Sequence, residues 1–164
     1  MPKEMPDVSR ISAPTRVVSG DVTDEYLRTA TPGQGLITYD ASYDISIHQA
    51  EVSFSKWLYD TFGGDIKLLN EVNAQMIKTA DYFWNNKLWD LKTATTEKAA
   101  NSAIRHGLQQ IRDNPGGIFL DYRGKNIDLD VLASVIEKRL RWRKDTSAVD
   151  IMIILDNGIR VWRY

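Results

Sequence analysis

Segment 87–92, with the sequence KLWDLK, places two opposite charges in a run that is otherwise typical of a β-strand. Side chains of a strand point alternately to its two faces, so Asp90 and Lys92 share one face with Leu88. Leu88 indicates that this face is partly buried, which is an unusual place for a carboxylate and an ammonium. The pattern therefore has two interpretations, which are an ordinary solvent-exposed ion pair and a chemical site.

A second carboxylate is expected opposite Asp90 because of the turn that precedes this segment. Asn85 and Asn86 separate the strand-like runs MIKTADYFW and KLWDLKTA, and asparagine tolerates the positive φ angles that a two-residue turn requires. Such a turn places Asp81 directly across from Asp90, where two carboxylates repel each other. The other pairs that it predicts are Trp84 with Lys87, Phe83 with Leu88, and Tyr82 with Trp89.

Three carboxylates and one lysine are expected to converge at this point. Glu51 falls within the apolar stripe of a helix predicted over SIHQAEVSFSKWLYDTFGG, and that helix can cover the face that carries Asp90. Juxtaposed carboxylates need a counter-charge. Mg²⁺ supplies one, and it often takes only one or two carboxylates besides water and phosphate oxygens. Lys92 beside such an ion can stabilise the negative charge that develops on a phosphate.

The elements that must position these residues follow the order α-β-β-α-β-α-β-β, which predicts an α/β domain with a mixed sheet. A helix is expected over TEKAANSAIRHGLQQIRD, with Thr95 or Thr96 as its cap and Glu97 in its first turn. Its predicted core-facing residues are Ala100, Ala103, Ile104, Leu108 and Ile111. GIFLDY is typical of a buried strand, and DLDVLASVIEKRLRWRKD is typical of an amphipathic helix. VDIMIILDNGIRVWRY predicts a hairpin that turns at Asn157 and Gly158.

The amino-acid composition limits which metal ligands, binding partners and membrane segments the chain can have. The chain has no cysteine, so a metal must bind carboxylates, backbone oxygens or the two histidines, His48 and His106, which we expect to be surface residues. A net charge of −1 argues against a purely electrostatic nucleic-acid binder. Residues 72–164, however, carry 15 basic and 11 acidic side chains, which favours an anionic partner. No run is long enough for a membrane span, and we expect no signal peptide.

The spacing Asp81-x8-Asp90-Leu91-Lys92 resembles the PD-(D/E)-x-K pattern of the restriction-endonuclease-like nucleases. Ala80 stands where that pattern often has proline. The setting adds to the resemblance, because a strand-turn-strand unit is followed by a Thr-capped helix with basic residues and glutamines. A preceding helix also carries a glutamate in the expected place.

A narrower resemblance covers residues 46–164, about 70% of the chain. This part is similar to the C-terminal nuclease domains of contact-dependent growth-inhibition toxins, especially the tRNA-cleaving type. It is also similar to related domains of phage and other mobile-element proteins. There the strand reads W-(D/E)-x-K before a Thr/Ser-rich turn and a basic helix, as in LWDLKTATTEKAANSAIRHGLQQ.

The resemblance implies a restriction-endonuclease-like mixed sheet flanked by helices, with the nuclease domain at residues 46–164. It implies that Lys92 is the catalytic lysine, and that a divalent metal binds the carboxylates, with Glu51 contributing directly or through water. The implied metal is Mg²⁺ or Mn²⁺, with Zn²⁺ as the alternative. The implied catalytic residues are Asp81, Asp90, Lys92 and Glu51, the implied metal ligands are Asp81, Asp90 and Glu51, and the implied nucleic-acid contacts are Lys98, Arg105 and Gln109.

The function implied is that of a metal-dependent endonuclease toxin that cleaves tRNA and is held in check by a cognate immunity protein. Its site of action would be the bacterial cytoplasm, after delivery as part of a larger secreted or phage-encoded protein. Two alternatives stay open, a DNase of the same fold and a non-catalytic structural module of a phage or mobile element.

Residues 1–45 hold four of the five prolines and none of the site residues. We expect them to be a linker or an extended N-terminal arm that wraps on the domain and is dispensable for the chemistry. Its expected packing residues are Leu27, Leu36, Ile37 and Tyr39.

Overall fold

The computed structural model describes residues 20–72, 75–141, 143–145 and 147–164. Within these ranges, eight strands form one mixed sheet that has helices on both faces. The predicted α/β class, with a mixed sheet flanked by helices, is therefore confirmed.

The bounds of the elements show how much of the chain the sheet uses. The strands are β1 (Gly20–Asp21), β2 (Ile37–Tyr39), β3 (Ile66–Leu68), β4 (Tyr82–Trp84), β5 (Lys87–Thr93), β6 (Pro115–Asp121), β7 (Asp150–Leu155) and β8 (Gly158–Arg163). The helices are α1 (Thr23–Thr29), α2 (Gln49–Thr61), α3 (Ala100–Ile111) and α4 (Leu129–Arg141), and a 3₁₀ turn at Ile45–Ile47 precedes α2. The strand order is β1-β8-β7-β6-β5-β4-β3-β2. The pairs β2/β3, β5/β6 and β6/β7 are parallel, and the other pairs are antiparallel.

Residues 20–45, which the sequence analysis assigns to a linker or arm, supply both edges of this sheet. β1 pairs with β8 at one edge, and β2 pairs with β3 at the other. Between them, the Tyr26 hydroxyl donates a hydrogen bond to Asp150 at the start of β7, and Arg163 binds both Asp150 and Glu25. This part of the chain therefore packs with the sheet, and residues 1–19 lie outside the described residues.

The two faces of the sheet bury different cores. α3 and α4 cover an aliphatic core on one face, which includes Ile104, Ile118 and Ile136. α1 and α2 cover an aromatic core on the other face, where the rings of Trp89 and Phe119 stack with centroids 4.5 Å apart. Because both faces are covered, the central parallel strands are almost continuously apolar, as in the fully buried run of residues 116–120.

The hairpin that carries the candidate site forms as predicted. Asn85 and Asn86 adopt φ angles of 53° and 63°, which is the left-handed conformation that a type I′ turn requires. The strand pairs are confirmed as Trp84 with Lys87, Phe83 with Leu88, and Tyr82 with Trp89.

Three local predictions were wrong. The C-terminal hairpin turns at Asp156 and Asn157, because Leu155 pairs with Gly158 across the turn. α3 begins only at Ala100, so Glu97 lies before the helix and accepts a hydrogen bond of 2.6 Å from the backbone N–H of Asp128. The predicted threonine cap is absent too, because Ala99 is the N-cap residue of α3 and no side chain among the described residues caps it; the Thr96 hydroxyl accepts a hydrogen bond of 3.2 Å from the N–H of Ala99 in the turn before the helix. The chain between β5 and α3 thus fixes the start of α4.

Candidate active site

Asp90 lies on β5 at the centre of the candidate site, on the face that α3 covers. Its exposed fraction is 0%, and the ammonium of Lys92 lies 2.8 Å from its Oδ2. The Lys92 side chain is only 24% exposed. The two charges therefore share one face as predicted, and they form a pair in which the carboxylate is buried and the ammonium is partly exposed.

α3 approaches Asp90 closely because it has a glycine at the point of contact. A Cβ atom at Gly107 would lie 2.9 Å from Ile118 Cδ1 and 3.7 Å from Asp90 Oδ2. One turn later, the Gln110 amide points to the same carboxylate. With its nitrogen facing Asp90, it donates to Oδ1 at 2.8 Å and to Oδ2 at 3.1 Å. Asp90 is thus held by a lysine from its own strand and by an amide from the helix above it.

Asp81 lies one residue before β4, and its carboxyl group is within hydrogen-bonding distance of that of Asp90. Its Oδ2 accepts a hydrogen bond of 2.8 Å from the backbone N–H of Leu91. Burial raises the pKa of Asp81 to about 9, and the charge of Asp90 and a hydrogen bond between the two carboxyl groups add to this rise. The Leu91 N–H opposes it. At neutral pH Asp81 is therefore protonated.

Glu51 reaches the site from a different direction than expected. Its helix, α2, packs on the aromatic face of the sheet, opposite to the face that carries Asp90. Its Oε1 accepts a hydrogen bond from the Tyr43 hydroxyl at 3.1 Å and lies 3.1 Å from His48 Nδ1. The charge of Glu51 adds a small part to the raised pKa of Asp81. Glu51 is therefore a neighbour of the carboxyl pair.

Among the described residues, no three acidic or histidine side chains are grouped closely enough to hold a metal ion.

The sequence did not identify Tyr43 as a contact of Glu51, and it predicted a surface position for the other contact, His48. Tyr43 falls in the stretch assigned to an arm, so nothing local related it to Glu51. His48 was expected at the surface, but it is partly buried and its ring lies 5.1 Å from that of Tyr43. His106 is exposed as expected. Gln110 was considered beside Gln109, but only Gln109 was selected, although Gln110 lies one turn after Gly107, on the side of α3 that faces β5.

The three residues expected to contact nucleic acid lie on α3 or just before it, and all are exposed. Their spacing of seven and four residues is that of one helix face. Lys98 lines a groove between α3 and α4, whereas Gln109 lines a separate, more apolar pocket below the C-terminal end of α3. The groove has a volume of about 540 Å³ and is lined by Lys98, Asn101, Val135, Lys138 and Arg139.

No protein-family model, curated protein or solved structure matches the chain. Across the described parts of the chain, none of the helices combines the length and apolar character needed to cross a membrane. The basis for a function is therefore the geometry of the site and the pattern of the sequence.

Proposed function

We propose that the chain is a metal-dependent endonuclease whose reacting phosphate lies against Asp81, Asp90 and Lys92. The observation that carries this proposal is the meeting of the buried Asp90, the half-buried Asp81 and Lys92 on the β4–β5 hairpin. Ionising both carboxyl groups at such a short separation is costly. Such an arrangement is typical of sites where charge is used for binding or chemistry.

The donor atoms of the pair fit a hard divalent cation. Asp81 and Asp90 offer only oxygen atoms, and a cation would offset the repulsion that raises the pKa of Asp81. Two carboxylates, completed by water and phosphate oxygens, suit Mg²⁺ or Mn²⁺, whereas Zn²⁺ usually takes nitrogen or sulfur ligands. When bound, such an ion supplies an activated water and offsets the charge that accumulates on the phosphate.

The residues around the pair have separate tasks in this proposal. Gln110 holds the Asp90 carboxylate in one orientation through two hydrogen bonds. Lys92 has a long and partly exposed side chain, so its ammonium can leave Asp90 and bind a non-bridging phosphate oxygen. Glu51, held by Tyr43 and His48, sets the negative potential on the far side of Asp81.

The proposed substrate is RNA, and specifically tRNA, because the strand and basic helix resemble those of the tRNA-cleaving toxin domains. The excess of basic side chains in residues 72–164 supports a polyanionic substrate. A cognate immunity protein and action in the bacterial cytoplasm follow from the same resemblance. A DNase of this fold has the same site, so digestion of total tRNA and plasmid DNA side by side decides between the two substrates.

The test compares cleavage by the parent and three variants, with Mg²⁺ and with a chelator. We expect Asp90→Asn and Lys92→Met each to reduce cleavage by roughly 10² or more, since the metal and the lysine supply several kcal/mol of transition-state stabilisation. Asp150→Asn is the matched control, because Asp150 is also a buried carboxylate paired with a basic side chain, Arg163. A folded Asp90→Asn variant that cleaves like the parent would contradict the proposal.

One observation favours a second candidate, the non-catalytic structural module. Asp90 has no exposed surface, and Lys92 and Gln110 already satisfy its oxygens. A polar network of this kind can serve only to fix the packing of α3 on the sheet. In that case Mg²⁺ would not bind the parent in calorimetry, and neither tRNA nor DNA would be cleaved.

A further inference from the structure

The groove between α3 and α4 gathers cations from two separate elements. Lys138 and Arg139 come from the last turn of α4, and Lys98 comes from the turn before α3. The residues that line the groove include no carboxylate. Arg139 is fixed in place, because its Nε donates a hydrogen bond of 2.7 Å to Asn101 Oδ1.

Ordinary helix electrostatics explain only part of this charge. Basic residues at the C-terminal end of α4 complement the negative end of its dipole, so Lys138 and Arg139 have a structural reason to be there. Lys98, in contrast, lies at the N-terminal end of a helix, two residues before the first residue of α3. There the positive end of a dipole disfavours a cation. The same wall of the groove therefore combines a lysine with the positive end of a helix, and both attract anions.

The chain connects this groove directly to the candidate active site. β5, which carries Asp90 and Lys92, ends at Thr93, and the segment that follows leads to Lys98 and α3. α3 lies between the candidate active site and the groove. Gly107 and Gln110 face Asp90, and Asn101 accepts a hydrogen bond from Arg139 of α4. Lys92, which is partly exposed, and Lys98 are six residues apart, so their Cα atoms are separated by at most about 20 Å and one extended polyanion can contact both.

We propose that the α3–α4 groove binds the phosphodiester backbone of the nucleic acid that the active site cleaves. This inference rests on the proposed function and adds to it a second contact region, formed by Lys98, Lys138 and Arg139. Lysine and arginine contacts to phosphates release counterions and carry little sequence information. The groove therefore supplies affinity and orientation, while the choice of the cleaved bond belongs to the active site.

The experiment measures the binding of labelled tRNA to the full chain by fluorescence anisotropy over a range of salt concentrations. A chelator is present, so that no cleavage occurs. The test variant is Lys98→Gln/Lys138→Gln, which keeps Arg139 and its bond to Asn101. The matched control is Arg28→Gln/Lys56→Gln, which removes two cations from α1 and α2 on the other face of the sheet.

We expect the test variant to bind tRNA roughly tenfold more weakly near physiological salt, and the slope of log K against log salt to fall by about 1.5. The control should keep the slope of the parent. Equal slopes for the two variants, or a parent that does not bind tRNA, would overturn the groove as a backbone contact. If the parent binds with the expected slope but cleaves nothing when Mg²⁺ is added, the groove stands and the proposed nuclease function fails.

Discussion

At the scale of single residues, the ion pair of Asp90 and Lys92 is asymmetric, because only the lysine can reach solvent. Asp90→Asn removes a charge that is fully buried, while Lys92 is left with access to solvent, so we expect the metal-free variant to be as stable as the parent or more stable. Lys92→Met leaves a carboxylate of 0% exposure without its cation, and we expect a loss of about 3 kcal/mol. Thermal denaturation at pH 7 with a chelator measures both. Equal losses in the two variants would show that the pair behaves as an exposed one.

The raised pKa of Asp81 predicts how the free energy of unfolding depends on pH. In the unfolded chain the carboxyl of Asp81 ionises near its ordinary value of 3.8, whereas in the folded chain burial and Asp90 raise its pKa to about 9. Between these values the folded state holds the extra proton, so this residue makes the free energy of unfolding fall as pH rises from about 4 to about 9. Asp81→Asn should remove that contribution. Denaturant titrations of parent and variant across this range measure it, and identical pH profiles would contradict the raised pKa.

Strand periodicity and turn chemistry were enough to predict the carboxyl pair. Asp81 and Asp90 meet because two asparagines fix the register of a short hairpin, and both signals are local in the sequence. The contacts of Glu51 could not be predicted in this way. They depend on Tyr43, which precedes the helix, and on the face of the sheet that α2 covers, which only the complete packing decides.

At the scale of elements, α3 is the part of the fold that closes the site over Asp90. The hydrophobic pattern predicted its buried face correctly, with Ala100, Ile104 and Ile111 in the core. It did not predict that one side of the helix meets β5 through Gly107, because the close approach depends on the size of Ile118 below it.

Adjacent glutamines on α3 provide a matched test of this arrangement. Gln110→Leu removes two hydrogen bonds from a buried carboxylate, so we expect it to lower the melting temperature and, if the proposed function holds, the rate of cleavage. Gln109→Leu changes an exposed side chain one position away and should leave both close to the parent values. Thermal denaturation and cleavage assays measure the two effects. Similar changes in both variants would mean that the amide of Gln110 does not hold Asp90.

At the scale of the whole molecule, the sheet depends on residues that the sequence pattern placed outside the domain. A chain that starts at Ser46 lacks β1, α1 and β2, and it exposes the edges of β3 and β8. We expect it to melt at a lower temperature than a chain that starts at Gly20, and to associate in size-exclusion chromatography. Strands as short as β1 and β2 leave no periodicity to detect, which is why the sequence did not predict them. Equal melting temperatures would show that residues 20–45 are a dispensable arm.

The pairing of β1 with β8 has a consequence for the order of events during synthesis. Gly20 pairs with Arg163, and Asp21 pairs with Trp162, so one edge of the sheet joins residues from the two ends of the described chain. While the chain is being made, β1 and the Tyr26 hydroxyl have to wait for partners that are synthesised more than 100 residues later. The β4–β5 hairpin needs only neighbouring residues and can form much earlier. The candidate site is therefore assembled, in part, before the sheet around it is closed.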